Sequence, residues 1–513
     1  MAQRLDYRRK VLATLLFLPL LLLVATTYTY PLLAPKILPT PSSTPTHPAK
    51  AHTSYNEFSL TLPSGDATVF TINELLNLCL NGNSLTITKH YALYGNAQEY
   101  QYLSNCNPVE ISTSQAARSR GHCSDFVQYI YYADARLVPQ YSTETYHQKI
   151  QECPHSFYLH GEYPIHELFL GTVDVVDGHI RSLLDLTQAP QAPPPQRVRN
   201  IWMPNWEQIR KEEGWIIRAS YMIACKAHIT CTAIQKYLSD AITQQRHQTS
   251  EIENERRFAN STPILQFMSH SSPDARSPDH ASEQQQQQQQ QLDRFNQFYH
   301  AYGHSGRKSS GAIVDCWLRQ PDWPKLVVIG HDAFKAFALP VIKNGARNIQ
   351  LFERVSTDKL DHLQSTHGVH LCPSRQEGYG HYINEARSHG AVVVTTHHPP
   401  MQEFVEDGVS GILVNHKGPA PEDYQLMGDY ETVGVNVEWE NVCNAVKRVL
   451  EMTLEARAEM GRLARLRYEE DSEIMAKNLM HLKKEAEEST DTAFDGFDFL
   501  KLLDSKFAAT HRA

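Results

Sequence analysis

Two glutamates, Glu377 and Glu385, stand eight positions apart in the stretch Cys372-Pro-Ser-Arg-Gln-Glu377-Gly-Tyr-Gly380-His-Tyr-Ile-Asn-Glu385, with Gly378 and Gly380 between them. A carboxylate accepts hydrogen bonds from hydroxyls. A Gly-x-Gly turn lets backbone N–H groups approach an anion, and a helix starting near His381 would favour negative charge at its N-terminus. Glu377 then lies on the loop and Glu385 at least one turn inside the helix, about 12 Å apart if the intervening chain were wholly helical. Hydroxyls at both ends and a diphosphate in the middle fit that layout, which is the shape of a nucleotide sugar. Ser374-x-x-Glu377 also matches a capping box, and Glu385 an ordinary helix glutamate, so the two carboxylates alone leave a purely structural role open.

Other residues could do chemistry at separate points of the chain. His160 follows the apolar run Phe157-Tyr-Leu159 and could face a cleft from a strand end, or be a hydrogen-bonded loop residue. Trp202 and Trp206 could stack on a sugar, or belong to a core. No two aspartates stand two positions apart, so an Asp-x-Asp metal motif is missing and no required metal is expected. Nine cysteines are too dilute for a disulfide scaffold, and no C-x2-C pair suggests zinc. Cys225 and Cys372 flank apolar runs and read as buried thiols; any disulfide would involve Cys106, Cys123 and Cys153.

The elements that must position these groups follow from pattern. The 513 residues are 41% hydrophobic and 20% charged, enough apolar material for two or three cored domains. A net charge of −9 supplies no basic face for nucleic acid. From about Arg294 short apolar runs alternate with helical patterns: Leu326–Gly330, Ile349–Phe352, Val369–Cys372, Ala391–Thr395 and Gly411–Val414. That alternation predicts a parallel sheet covered on both faces, and ligands bind at the carboxyl edge of such sheets. Helix follows from Glu438 to about Glu488, with apolar Val442, Ala445, Val446, Val449 and Leu450 on one stripe. Residues 55–242 suggest a second α/β layer. Residues 243–293 are polar and end in Gln284–Gln291, which predicts a disordered insertion, and 489–513 form a tail.

At the N-terminus, Arg4, Arg8, Arg9 and Lys10 precede an apolar run from Val11 that continues more weakly to Leu33. Its length and flanking charge predict a single-span signal anchor with the following chain across the membrane, or a cleaved signal and a secreted protein. Residues 34–54, rich in Pro, Ser and Thr, read as a stem. Asn260-Ser-Thr262 is a lone glycosylation sequon, weakened by Pro263.

The segment from about 295 to 470 resembles glycosyltransferase family 4, retaining enzymes of the GT-B architecture with two facing Rossmann-like domains. The resemblance rests on the E-x7-E motif of Glu377 and Glu385, on Pro400–Val405 with Gly408–Val414 downstream, and on Gly303-His-Ser-Gly-Arg-Lys308 upstream. Fainter echoes occur near Trp202–Trp206 and Ala224–Lys226. It implies that Lys308 meets the donor diphosphate, with Arg307 as the alternative if the register slips by one. His304 stands where the family often has a cation, and Ser309 where a glycine is frequent. Glu377 would hold sugar hydroxyls and Glu385 the ribose. Gly378, Tyr379 and Gly380 would offer backbone N–H groups to the distal phosphate, and Glu403 would line the base or ribose pocket.

The expectation is a metal-independent retaining glycosyltransferase anchored in the Golgi or endoplasmic reticulum membrane. It would move a hexose-type sugar from a nucleotide-diphosphate donor to a hydroxyl of a glycan, glycoprotein or lipid. A sugar-nucleotide epimerase, a hydrolase or a non-catalytic sugar-binding protein of the same architecture are the alternatives.

Overall fold

The computed structural model describes residues 58–61, 67–70, 72–81, 109–112, 120–133, 135–138, 156–160, 175–176, 179–180, 199–205, 207, 209, 216–217, 220–247, 263–274, 292–303, 306–330, 346–353, 355–420 and 434–488. The expected anchor and stem, the glutamine tract, the C-terminal tail, His304 and Trp206 lie outside them.

Two parallel sheets of six strands carry the fold. The first contains β1 (Val109–Ser112), β2 (Arg136–Val138), β3 (Phe157–His160), β4 (Arg199–Trp202), β5 (Met222–Cys225) and β6 (Ile264–Phe267), in the order β2-β1-β3-β4-β5-β6. The second contains β7 (Phe298–Gly303), β8 (Leu326–Gly330), β9 (Ile349–Phe352), β10 (Val369–Cys372), β11 (Val392–Thr396) and β12 (Ile412–Val414), in the order β9-β8-β7-β10-β11-β12. Apolar runs such as LVVIG and VVVTT are buried along their whole length because both faces of a parallel sheet are covered. Each sheet reverses its strand order once, between β1 and β3 and between β7 and β10. Such a switch point opens a crevice at the carboxyl ends of its two strands.

The helices are α1 (Ile72–Asn81), α2 (Arg120–Ala133), α3 (His228–His247), α4 (Ser310–Leu318), α5 (Thr357–Thr366), α6 (His381–Ser388), α7 (Trp439–Leu450) and α8 (Leu454–Glu488). The predicted stripe on α7 is real: Val442, Ala445, Val446 and Val449 are buried against the second sheet's core. The end of α8 leaves the second domain and buries Met475, Leu479, Leu482 and Ala486 in the core of the first. Spacings of four, three and four put these on one helical face. Burying each Leu or Met contributes about 1.5–3 kcal/mol, so α8 ties the domains together. The last turns of the segment expected as the second domain, 294–488, thus pack in the core of the first.

Two further expectations are corrected. Ile264–Phe267, within the stretch expected to be disordered, pairs along its length with β5 and forms the sixth strand. Its run of three apolar residues in four is short beside the surrounding polar tract, which dominates the composition. Cys225 is not a thiol: it bonds Cys231, because the turn from β5 into α3 brings their Cα atoms to 5.5 Å. Cys123 does form a disulfide, with Cys79 of α1, and Cys316 of α4 is bonded to Cys443 of α7. Cys372 is a buried free thiol, as read, and burial raises its pKa. Among the described residues no helix is long and apolar enough to cross a membrane.

Candidate functional site

The loops after β7 and β10, the two strands at the switch point, meet. Arg375 N–H donates to Arg307 O at 2.7 Å. The first loop carries Lys308, whose ammonium lies 4.0 Å from the centre of the Tyr382 ring. The Tyr382 hydroxyl is 2.5 Å from Ser374 Oγ, and the Ser374 hydroxyl donates to Glu377 Oε1 at 2.5 Å. Lys308, Tyr382, Ser374 and Glu377 thus form one connected group, bringing together the lysine and the first glutamate singled out in the sequence. Ser374 is not a helix cap; α6 begins at His381, with Gly380 as N-cap at φ +103°, a conformation that favours glycine. Among the described residues the N–H groups of Gly378, Tyr379 and Gly380 donate to no backbone carbonyl. They are free donors at a helix N-terminus, beside a cation.

His300, which pattern reading passed over, holds this arrangement. It is buried in β7, and burial lowers its pKa to about 3, so the ring is neutral. One nitrogen is 2.7 Å from Leu371 O in β10 and the other 2.6 Å from Ser310 Oγ at the start of α4. A neutral ring can donate to the carbonyl and accept from the hydroxyl, joining both strands of the switch point to the end of the Lys308 loop. A histidine inside an apolar strand was the available signal.

The first domain faces this group with its own carboxyl edge. Gly378 lies so close to it that a Cβ would fall 2.1 Å from Glu207 Oε2 and 2.6 Å from Asn205 Cβ. Lys226, following β5, donates to Asn205 Oδ1 at 3.0 Å and to Asp125 Oδ2 at 2.9 Å. Asp125 Oδ1 is 2.6 Å from His270 Nε2 and 3.3 Å from His381 Nε2. Burial opposes the charge on Asp125, yet Lys226, His270 and His381 hold its pKa well below the usual range. His270, beyond β6, is neutral because burial lowers its pKa to about 4. Asp125, His270 and His381 place three ligand-type atoms within 4.8 Å of one another, the described group that could hold a metal ion. Lys226 already compensates Asp125, so a cation there would meet an ammonium one carboxylate away. Asp125 and His270 carry no local motif, and Asn205 and Lys226 lie only in the two fainter echoes; together they converge from α2 and from the ends of β4, β5 and β6.

The remaining candidates fall elsewhere. Glu385 is buried in α6, accepting from Arg120 Nε of α2 at 2.8 Å and Gln364 Nε2 of α5 at 2.8 Å. Burial would raise its pKa, but Arg120 and Gln364 outweigh that and lower it. Tyr379 is buried and donates to His270 O. The Glu403 carboxylate accepts from His228 N at 2.7 Å and Ile229 N at 3.0 Å, so it caps α3 of the first domain. His160 is fully buried, 2.9 Å from Asn200 Oδ1, and burial lowers its pKa to about 4. Trp202 belongs to a core, with Ile209, Ile223 and Ile234.

Residues 313–424 match the family described as "Glycosyl transferases group 1". The matched span includes Glu377–Glu385 and Glu403, and begins just after Lys308. No curated protein matches the chain. Solved structures similar to it include HepE of Anabaena in complex with UDP and glucose, at 11% identity and a TM-score of 0.46 over 74% of this chain and 99% of that one. A glycosyltransferase from Rickettsia africae is similar at 10% identity and TM-score 0.45, over 75% and 100% of the two chains. Sucrose-phosphate synthase of Thermosynechococcus elongatus is similar at 12% identity and 0.45, over 75% and 100%.

Proposed function

We propose that this protein is a retaining glycosyltransferase that takes a hexose-type sugar from a nucleotide-diphosphate donor to a hydroxyl of a glycan, glycoprotein or lipid. The observation that carries the reading is the group at the second sheet's switch point. A lysine, a carboxylate and the free N–H groups of a helix N-terminus converge there, inside or beside the segment that matches the glycosyl transferases group 1 family.

In this reading the donor diphosphate lies between Lys308 and the Gly378–Gly380 turn, and Glu377 accepts hydroxyls of the sugar. The bond from the anomeric carbon to the diphosphate oxygen breaks and its electron pair leaves with the diphosphate. Lys308 and the oriented N–H groups stabilise the charge that develops there. The acceptor oxygen attacks the face the diphosphate leaves, and its proton passes to the departing diphosphate oxygen on that same face. The ammonium and helix N-terminus fill the part a metal plays elsewhere, so we propose no metal requirement. Glu385 keeps one oxygen on Arg120 and the other on Gln364, each with capacity for a further ribose hydroxyl. We place the protein in the secretory pathway behind an N-terminal anchor; the three disulfides among the described residues support an oxidising compartment.

The test is a nucleotide-sugar hydrolysis and transfer screen on the purified full-length protein, in EDTA, with Glu377→Ala as control. Release of nucleoside diphosphate from one donor, abolished in the variant, is expected. A folded protein that binds donors without turning any over would point to a non-catalytic binding role.

A further inference from the structure

His381 is the first residue of α6, directly after the Gly378–Gly380 turn, and its ring reaches into the first domain. Gly121 of α2 lies against it so closely that a Cβ would fall 2.8 Å from His381 Cδ2 and 3.2 Å from Nε2. Asp125 Oδ1, one turn further along α2, is 3.3 Å from Nε2. Ser272 Oγ, beyond β6, is 3.2 Å from Nδ1. Both ring nitrogens therefore find their partners in the other domain, on two separate elements. One turn along the same face of α6, Glu385 is gripped by Arg120 at 2.8 Å. The socket is itself braced: Lys226 and His270 hold Asp125, and Tyr468 Oη donates to Ser272 O at 2.6 Å. The second domain supplies the ring with a Tyr379 edge contact, at 5.1 Å between centroids. These polar contacts exist only while the two domains are together.

We propose that His381 is a positioning residue. Seated in the socket of Gly121, Asp125 and Ser272, it fixes the Gly378–Gly380 turn, and Glu377 with it, against the first domain, so that the site is complete only when the domains are closed. The proposal rests on the nucleotide-sugar reading for its catalytic consequence, and on the contacts alone for domain closure.

The test compares wild type with His381→Ala, Gly121→Ala, Ser272→Ala and His381→Gln as full-length proteins. The readouts are kcat and KM for donor turnover, the thermal midpoint, and the radius of gyration from X-ray scattering. Misplacing a catalytic turn by about 1 Å costs up to roughly 100-fold. His381→Ala and Gly121→Ala should therefore lose roughly 10- to 100-fold in kcat, with donor KM within about threefold. Both should raise the radius of gyration. Ser272→Ala removes one contact and should move kcat and the radius in the same direction by less, whether or not the harsher variants fold. His381→Gln, which keeps a donor and an acceptor, should recover part of the loss. Unchanged kcat, or a fall in kcat with unchanged scattering, overturns the proposal, as does a parallel loss of KM, kcat and thermal midpoint that marks a merely structural contact. If wild type turns over no donor, the nucleotide-sugar reading fails, and scattering decides separately: a radius insensitive to all four variants overturns the socket as well.

Discussion

Glu403 offers a prediction whose size follows from the structure. Its carboxylate sits at the N-terminus of α3, accepting two backbone N–H groups, an arrangement that ordinarily favours the charged form. Burial acts the other way and dominates, raising its pKa from 4.5 to about 7 despite the hydrogen bonds. The unfolded chain releases this proton near the ordinary value and the folded protein retains it. Folding therefore takes up a proton between pH 4.5 and about 7, and stability falls as pH rises through that window. A displacement of about 2.5 units at 1.36 kcal/mol each corresponds to about 3 kcal/mol lost by pH 8. Glu403→Gln keeps the shape and one acceptor while removing the titration. Thermal midpoints of both proteins should be nearly equal at pH 5, and the variant should be the more stable by several degrees at pH 8. The assay is a differential scanning series at half-unit steps. A variant less stable than wild type by the same margin at every pH would refute the reasoning, because it would mean that the charged cap outweighs burial.

Two shorter predictions address the site. Lys308→Ala should lower kcat by roughly 10²- to 10³-fold if its ammonium stabilises the leaving diphosphate, read from donor turnover; a change within threefold would remove Lys308 from the chemistry. Gly378→Ala places a Cβ 2.6 Å from Asn205 Cβ, an atom fixed close to the backbone, so one side of the seam must move. The expected cost is about 1–3 kcal/mol, seen as a lower thermal midpoint, and an unchanged midpoint would show that the domains approach less closely there.

Much of the second domain was legible before the structure. Strands such as β8 and β11 are buried on both faces and read as short apolar runs, whereas β7, interrupted by His300, was not picked out; α7 shows its stripe because it covers one face of the sheet. The E-x7-E segment was legible for a related reason: a strand end, a glycine turn and a helix start are consecutive in the chain, so their order in space is their order in sequence. Lys308 was singled out by resemblance to a known family, and the structure joins it to Glu377 through Tyr382 and Ser374.

What only the tertiary structure decided lies where distant segments meet. The sequence by itself determined that Glu377, Gly378 and Gly380 stand between a strand end and a helix start, with Glu385 inside that helix. It did not determine that Glu403 would cap a helix 174 positions away, or that Glu385 would meet Arg120 at a separation of 265. Asp125 and His270 are unremarkable in their local surroundings, and nothing in the stretches around Lys226 and His381 says that these residues meet them. They become one cluster because parallel strands deliver their carboxyl ends to one edge, and α8 returns to the first domain to bring the two edges face to face. Local pattern records which side of an element is apolar. Which charges meet across a seam is set by how whole domains pack, and no single stretch of sequence carries that record.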